Sequence, residues 1–404
     1  MGKRYVQDFY VDPHSALLFH KMDLGLKHRA VRVLGSRVFR VTGIVIFLIA
    51  FFVTLMHLPM NTLGNEYHFS SPAPSRPVNE QINPASPSYY LITDWSRFAY
   101  VQYVTNTAYL CNSVMIFETL HRMNSKADRL LMYPAGFPIE GDSAESILLR
   151  KAHHEYGVKL VPIEVQSKFE LGRDYTWAES YTKLLAFNQT QYDRVLSLDS
   201  DATILQPMDE LFLLPPCPIA MPRAYWMNPD DRVLSSQMML IQPSTFEFNR
   251  IKEAIENASL NEYDMEIVNN LYKDSALVLP HRSYDLLTGE FRAKNHSSYL
   301  GNPVETWDPD VVMREAKFLH FSDWPVPKPW IQAQEDTVTN NQPECNLDSE
   351  TDDKNCRTRD LWLGFYTDFA QRRKDVCRMS LKKSHKRSSD ERPERSPGIY
   401  EPTF

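Results

Sequence analysis

Glycine is scarce in this chain, 13 residues in 404, against a usual share of roughly 7%. No two glycines stand two positions apart, which excludes the GxGxxG dinucleotide fingerprint. GxxxxGK[ST], GxSxG, HExxH and CxxC are absent as well. A nucleotide bound here is held without a glycine-rich loop. Cysteine is sparse too: five residues, an odd number, leave at least one thiol free unless it pairs between chains. Cys345 and Cys356 flank an acidic, turn-rich loop and are the best candidate pair, whereas Cys111 and Cys217 lie in apolar surroundings that suit buried thiols. Taken as a whole, the chain beyond the first forty residues has no net basic charge. The net charge is −7, and residues 1–40 hold eight Lys or Arg against three Asp, so the remainder carries −12 and argues against nucleic acid as a partner.

Hydrophobic residues at 43% and charged residues at 24% fit a globular protein with one large or two ordinary domains. The basic head, residues 1–40, is followed by Val41–Leu58, eighteen residues without a formal charge. As a helix this run spans about 27 Å, enough to cross a bilayer. The next basic residue after Arg40 is Arg76, so the positive-inside rule puts the head in the cytosol and the bulk of the chain in a lumenal or extracellular space. A cleaved signal peptide is the competing reading, but the head is long and no A-x-A-like site follows the run. Residues 59–88 carry Pro59, Pro72, Pro74, Pro77, Pro84 and Pro87 among Ser and Asn and read as an extended stalk. Residues 89–371 read as the folded lumenal domain. The segment 372–404, with KKSHKRSSDERPERSPG, reads as a disordered charged tail. Sequons at Asn188, Asn257 and Asn295 all lie beyond the anchor.

Between Tyr89 and about Trp330, strand-like runs alternate with amphipathic stretches. Val101–Thr105 predicts a strand; Leu110, Val114 and Phe117 then recur at helical spacing; Arg129–Tyr133 predicts a second strand. Asp142 and Glu145 predict a capping box for a helix to about Glu155, and the β-branched run Val158–Ile163 follows. A helix over about Ala178–Asn188 leads into a buried strand, Arg194–Leu198. Strands separated by helices imply an α/β fold with a mostly parallel sheet flanked by helices, whose ligands gather at the carboxyl ends of the strands.

Asp199-Ser200-Asp201 emerges at such an end. Two carboxylates there can share a divalent cation, and hard oxygen ligands suit Mg²⁺ or Mn²⁺. An ordinary polar turn would carry the same residues. LSLDSDATI also fits the apolar strand and DxDxT of aspartyl-phosphate phosphatases, with Asp199 as nucleophile. That group begins with this motif, whereas here about a hundred residues of strand and helix precede it. The second constellation, HFSDWPVPKPW from His320 to Trp330, sets a histidine and a lysine on a chain stiffened by three prolines. Neutral imidazole can complete a metal site and Lys328 can hold a diphosphate. Read alone, it is a surface loop.

Taken together, YVTNTAYL, YTKLLAFNQTQYDRVLSLDSDATI, MMLIQPS and HFSDWPVPKPW resemble the retaining glycosyltransferases of family 8, the glycogenin-like group with the GT-A fold. Within that group the wording is most similar to the fungal glucose N-acetyltransferases, Golgi α-N-acetylglucosaminyltransferases. The resemblance covers about residues 98–332. It implies Asp199, Asp201 and His320 as Mn²⁺ ligands and Lys328 on the donor diphosphate. It implies Thr105, Asn106 and Tyr109 at the uridine, with Lys183 and Trp330 also at the donor. The segment from Asp264 to Asn269 falls beneath the transferred sugar. Two positions depart from the family: Met265 stands where a Gln is usual, and Ser235-Ser236-Gln237 replaces an Asn-Ser-Gly or Asn-Ala-Gly strand entry. A polar group near the anomeric carbon then comes from Asp264 or Glu266. The function implied is transfer of a sugar, N-acetylglucosamine, from a UDP donor to a glycan acceptor such as N-linked mannose glycans, by a single-pass type II Golgi membrane enzyme. The alternatives are a UDP-sugar- or glycan-binding module that has lost catalysis, and a lumenal phosphatase.

Overall fold

In the computed structural model, residues 93–166, 179–259, 262–347 and 354–383 are described. The expected head 1–40, anchor 41–58 and stalk 59–88 lie outside the described residues, as does the tail beyond Lys383. Among the described residues no helix is long and apolar enough to cross a membrane.

The first strand, Phe98–Tyr103 (β1), begins earlier than Val101 and stops short of Thr105. It stops there because Asn106 opens a helix: its carboxamide accepts from the N–H groups of Ala108 at 3.0 Å and Tyr109 at 3.3 Å, capping Thr107–Arg122 (α1). Asp128–Pro134 (β2) follows, then Ala144–Tyr156 (α2). The cap of α2 is the Ser143 hydroxyl, 3.1 Å from the Ser146 N–H, and not Asp142. Val158–Ile163 (β3) and Arg194–Leu198 (β4) lie where their apolar runs put them. Between them Ser180–Asn188 coils as a 3₁₀ helix where an α-helix was expected.

Seven strands form the main sheet in the order β3-β2-β1-β4-β7-β6-β8, with Ile219–Pro222 (β6), Met238–Ile241 (β7) and Leu277–Leu279 (β8). Strands β1 to β4 are mutually parallel and β8 is parallel to β6, while β7 runs antiparallel to both its neighbours. Strand side chains alternate between faces, and here both faces are covered. Ala99 and Val101 join a core with the Ser180–Asn188 turn and the helices Thr245–Asn257 (α3) and Asp264–Tyr272 (α4). Tyr100 and Val104 join the core under α1 and α2. A smaller sheet orders Ala202–Ile204 (β5), Phe318–His320 (β10) and Leu286–Leu287 (β9).

The C-terminal region corrects two expectations. Arg357–Cys377 (α5) is a helix that runs through the start of the supposed disordered tail. Arg372 and Arg373 near its end are turned inward: Arg372 donates to the Met115 carbonyl at 2.8 Å and to Glu118 at 3.0 Å, and Arg373 donates to Asn112 at 2.7 Å. Charge composition misled here because Arg372 is paired with Glu118 and Arg373 is buried and hydrogen-bonded to neutral acceptors on α1. Cys111 is not a free thiol, since it is bonded to Cys377. The Cys345–Cys356 pair forms as expected, and Cys217 is the free thiol.

Candidate active site

Strand β4 is fully buried between β1 and β7 and delivers Asp199 at its carboxyl end. The main chain of Asp199 donates to the Gln237 carbonyl at 2.9 Å, which pins the turn to the strand entry at Ser235–Gln237. Ser200 and Asp201 then lead into β5. Strand β5 pairs antiparallel with β10 so that Ala202 lies opposite His320. That register sets the imidazole against the turn: His320 Nε2 is 3.2 Å from an Asp201 oxygen and 3.9 Å from an Asp199 oxygen. One ligand atom from each of Asp199, Asp201 and His320 falls within 4.8 Å of the others. Two hard carboxylates and one imidazole are a suitable donor set for a divalent cation.

Each carboxylate also meets a lysine. Lys183, 4% exposed, is 2.7 Å from Asp199 and 2.8 Å from Asp264 and donates to the Ser236 carbonyl at 3.2 Å. The Asp199 contact is an ion pair off the hydrogen-bonding direction, while the Asp264 contact is an aligned hydrogen bond. Asp264 also accepts from the Ser236 hydroxyl at 2.8 Å. Lys328 donates to Asp201 at 2.6 Å and to the Phe321 carbonyl at 2.8 Å. Burial pushes Asp199 up to about 6, with Lys183 opposing and the neighbouring Asp201 charge adding to the rise. Burial would raise Asp201 as well, but Lys328 and His320 outweigh it and hold it well below the usual carboxylate range. Two carboxylates on one turn titrate apart in this way. Asp264 is lowered against its burial by Lys183 and its hydrogen bonds.

The donor residues expected from the resemblance divide. Tyr109 is half-buried, its ring edge-on to Trp330 at 5.1 Å. Burial, then the charges of Asp201 and Asp199, raise its phenol above the usual tyrosine range. Thr105 is half-buried just ahead of the α1 cap, and exposed Asn106 gives its carboxamide oxygen to that cap. Glu266 is exposed and accepts from the Tyr263 N–H at 2.9 Å, closing the first turn of α4. Its carboxylate serves the helix end and does not join the Asp199 cluster. Met265 is half-buried.

Sequence reasoning missed Asp285, which has no signal beyond a polar residue ahead of Leu286-Leu287. It is 0% exposed and neither carboxylate oxygen has a hydrogen-bond partner among the described residues. Burial holds it well above the usual carboxylate range, the nearby Ser235 hydroxyl opposing and the Asp199 charge adding to the shift. The folded chain therefore keeps a proton that the unfolded chain releases near pH 3.8. Stability falls as pH rises above that value toward the folded pKa. Asp285→Asn is expected to remove this fall, so thermal melts of the variant between pH 5 and 8 flatten relative to wild type by about 2–4 °C for each kcal/mol recovered.

A strand-end carboxylate pair, closed by a distant imidazole and flanked by two lysines, defines the class: an α/β protein with a candidate divalent-cation site. No family model matches the chain. The chain is 62% identical over 292 residues to glucose N-acetyltransferase 1 of Gibberella zeae, covering 70% of this chain and 63% of that protein. It is 48% identical over 315 residues to glucose N-acetyltransferase 1 of Aspergillus fumigatus, covering 74% and 82%. This chain belongs to the glucose N-acetyltransferase 1 family. It spans just under two thirds of the length of the first of these relatives. Among solved structures, the apo WbbM bifunctional glycosyltransferase aligns at a TM-score of 0.45 with 14% identity over 70% of this chain and 50% of its own. An alignment at that level adds nothing to the family assignment.

Proposed function

We propose that this chain is a GT-A transferase that moves N-acetylglucosamine from a UDP donor to a glycan acceptor with retention of configuration. The observation that carries this reading is the convergence of Asp199, Asp201 and His320 on one spot, with Lys328 beside it. The name of both relatives, glucose N-acetyltransferase, supports the sugar. The carboxylates of Asp199, Asp201 and Asp264 face the ammonium groups of Lys183 and Lys328, which leaves one negative charge unbalanced when His320 is neutral. A Mn²⁺ ion, or Mg²⁺ in its place, would be held by Asp199, Asp201 and His320 and would supply Lewis-acid stabilisation of the departing UDP.

Lys328 is the cation able to serve a diphosphate, because it sits a third exposed at the edge of the site. Lys183 is enclosed, and its part is to hold Asp199 and Asp264 in place. Tyr109 and Trp330 supply the aromatic wall for the uracil. Beneath the sugar, Met265 offers no polar group and Glu266 caps its helix, so Asp264 is the acidic group left there. In this reading the catalytic domain is lumenal in the Golgi behind a type II anchor at 41–58. Two disulfides and exposed sequon residues Asn188, Asn257 and Asn295 support an oxidising, glycosylating compartment.

The test is release of UDP by the detergent-solubilised full-length chain from a panel of UDP-sugars, with Mn²⁺ or EDTA and with mannose glycans as acceptors. Release from UDP-N-acetylglucosamine that needs the metal is the expected result. UDP binding without release from any donor would favour the binding module, which Met265 suggests. A trapped aspartyl-phosphate at Asp199 would establish the phosphatase, a reading that leaves His320 and Lys328 without a part.

A further inference from the structure

The loop from His320 to Trp330 carries both a candidate metal ligand and the diphosphate lysine, yet few of its residues belong to a strand. At its centre the loop is tied to the rest of the fold by the Asp323 side chain. Asp323, 8% exposed, accepts from the Trp362 indole N–H at 2.6 Å and the Tyr366 hydroxyl at 2.8 Å through one oxygen, and pairs with Arg292 at 2.6 Å through the other. Arg292 donates in addition to the carbonyls of Asp323 at 3.3 Å, Trp324 at 3.2 Å and Asn341 at 2.7 Å. Beside it the loop passes against Gly289, where a Cβ would lie 2.8 Å from the Ser322 carbonyl oxygen. Phe321 packs edge-on to Tyr366 and Phe369. Trp362, Tyr366 and Phe369 all come from α5.

The same helix reaches the other wall of the site. Through Arg372, Arg373 and the Cys377–Cys111 bond it is fastened to α1, whose first turn carries Tyr109. Helix α5 thus spans from the loop of His320 and Lys328 to the helix of Tyr109, and Asp323 is where the loop end of that span is fixed.

We infer that Asp323 is a positioning residue: by tying the 320–330 loop to α5 it sets His320 against Asp199 and Asp201 and keeps Lys328 at the diphosphate edge. This rests on the proposed metal-dependent function. Asp323 touches neither metal ligand nor donor itself. Its influence runs along the short backbone to His320, whose strand ends three residues earlier, and through Phe321, whose N–H donates to the Asp201 carbonyl at 2.9 Å and whose own carbonyl receives Lys328. Partners that orient a metal ligand commonly change metal affinity about 10- to 100-fold when removed.

The experiment is a Mn²⁺ titration followed by electron paramagnetic resonance, without substrate, on full-length wild type, Asp323→Asn, Tyr366→Phe and Arg372→Ala, with a thermal melt for each. Asp323→Asn keeps the size of the side chain but gives up acceptor capacity, and Tyr366→Phe removes a single donor. Arg372→Ala loosens α5 from α1 without touching the loop, and controls for lost stability. The expected result is a Mn²⁺ dissociation constant raised about tenfold or more in Asp323→Asn, raised less in Tyr366→Phe, and within about twofold of wild type in Arg372→Ala. Wild-type affinity in Asp323→Asn overturns the inference while leaving the metal site intact. So does an equal loss in Arg372→Ala at a similar drop in melting temperature. Absence of Mn²⁺ binding by wild type would overturn both this inference and the metal-dependent function beneath it.

Discussion

Asp201→Asn is expected to lower metal-dependent UDP release by at least about a hundredfold. Removing a partner one shell away from a metal costs up to about that much, and Asp201 is itself one of the three candidate ligands. The substitution also removes the carboxylate that Lys328 and His320 hold well below its usual range. The side chain left behind is the same size, so the loss is one of charge and not of packing. Lys328 then lacks its anionic partner and is left with neutral acceptors, the Phe321 carbonyl and the introduced carboxamide oxygen. Steady-state release over a Mn²⁺ series checks this. A lost signal that returns at high Mn²⁺ would indicate weakened metal binding alone, and a plateau far below wild type would indicate loss of chemistry as well. Activity equal to wild type at low Mn²⁺ would remove Asp201 from the ligand set.

Breaking the Cys111–Cys377 bond is expected to cost about 5 kcal/mol of stability. The bridge closes a loop with a sequence separation of 266 residues, and on the chain-entropy account the restriction of the unfolded state grows with the logarithm of that length. The Cys345–Cys356 bridge, with a separation of 11, is expected to contribute only about 3 kcal/mol on the same account. Denaturant midpoints of Cys377→Ser and Cys356→Ser against wild type test the ranking. Equal losses would show that local packing and not loop length governs both bonds. Cys377→Ser also releases the end of α5 from α1, so it adds to any loosening of the wall that holds Tyr109.

Much of the framework was legible in the residues. Val158–Ile163 and Arg194–Leu198 are strands at the residues expected: the first is a β-branched run on the sheet edge, and the second is an apolar run buried throughout between two neighbours. The position of Asp199 follows, since a charged pair directly after such a strand has to stand at its carboxyl end. The pairing of Cys345 with Cys356 was visible because a short loop brings them together whatever the rest does. Local chemistry misled in two places: the cap of α2 is Ser143 and not Asp142, and the basic residues at 372 and 373 pack on α1 instead of facing solvent.

What the sequence by itself determined is therefore the part of the protein that rests on neighbours along the chain: the alternation of strands and helices, the carboxylate pair at a strand end, and the stiff loop with its histidine and lysine. What only the tertiary structure decided is which distant groups meet. The register that sets Ala202 opposite His320, the lysine enclosed between Asp199 and Asp264, the bond from Cys111 to Cys377 and the hold of α5 on Asp323 all join segments far apart in sequence. Their energies come from burial and paired charge across space, and a pattern read along one strand or helix carries no record of its partner on another.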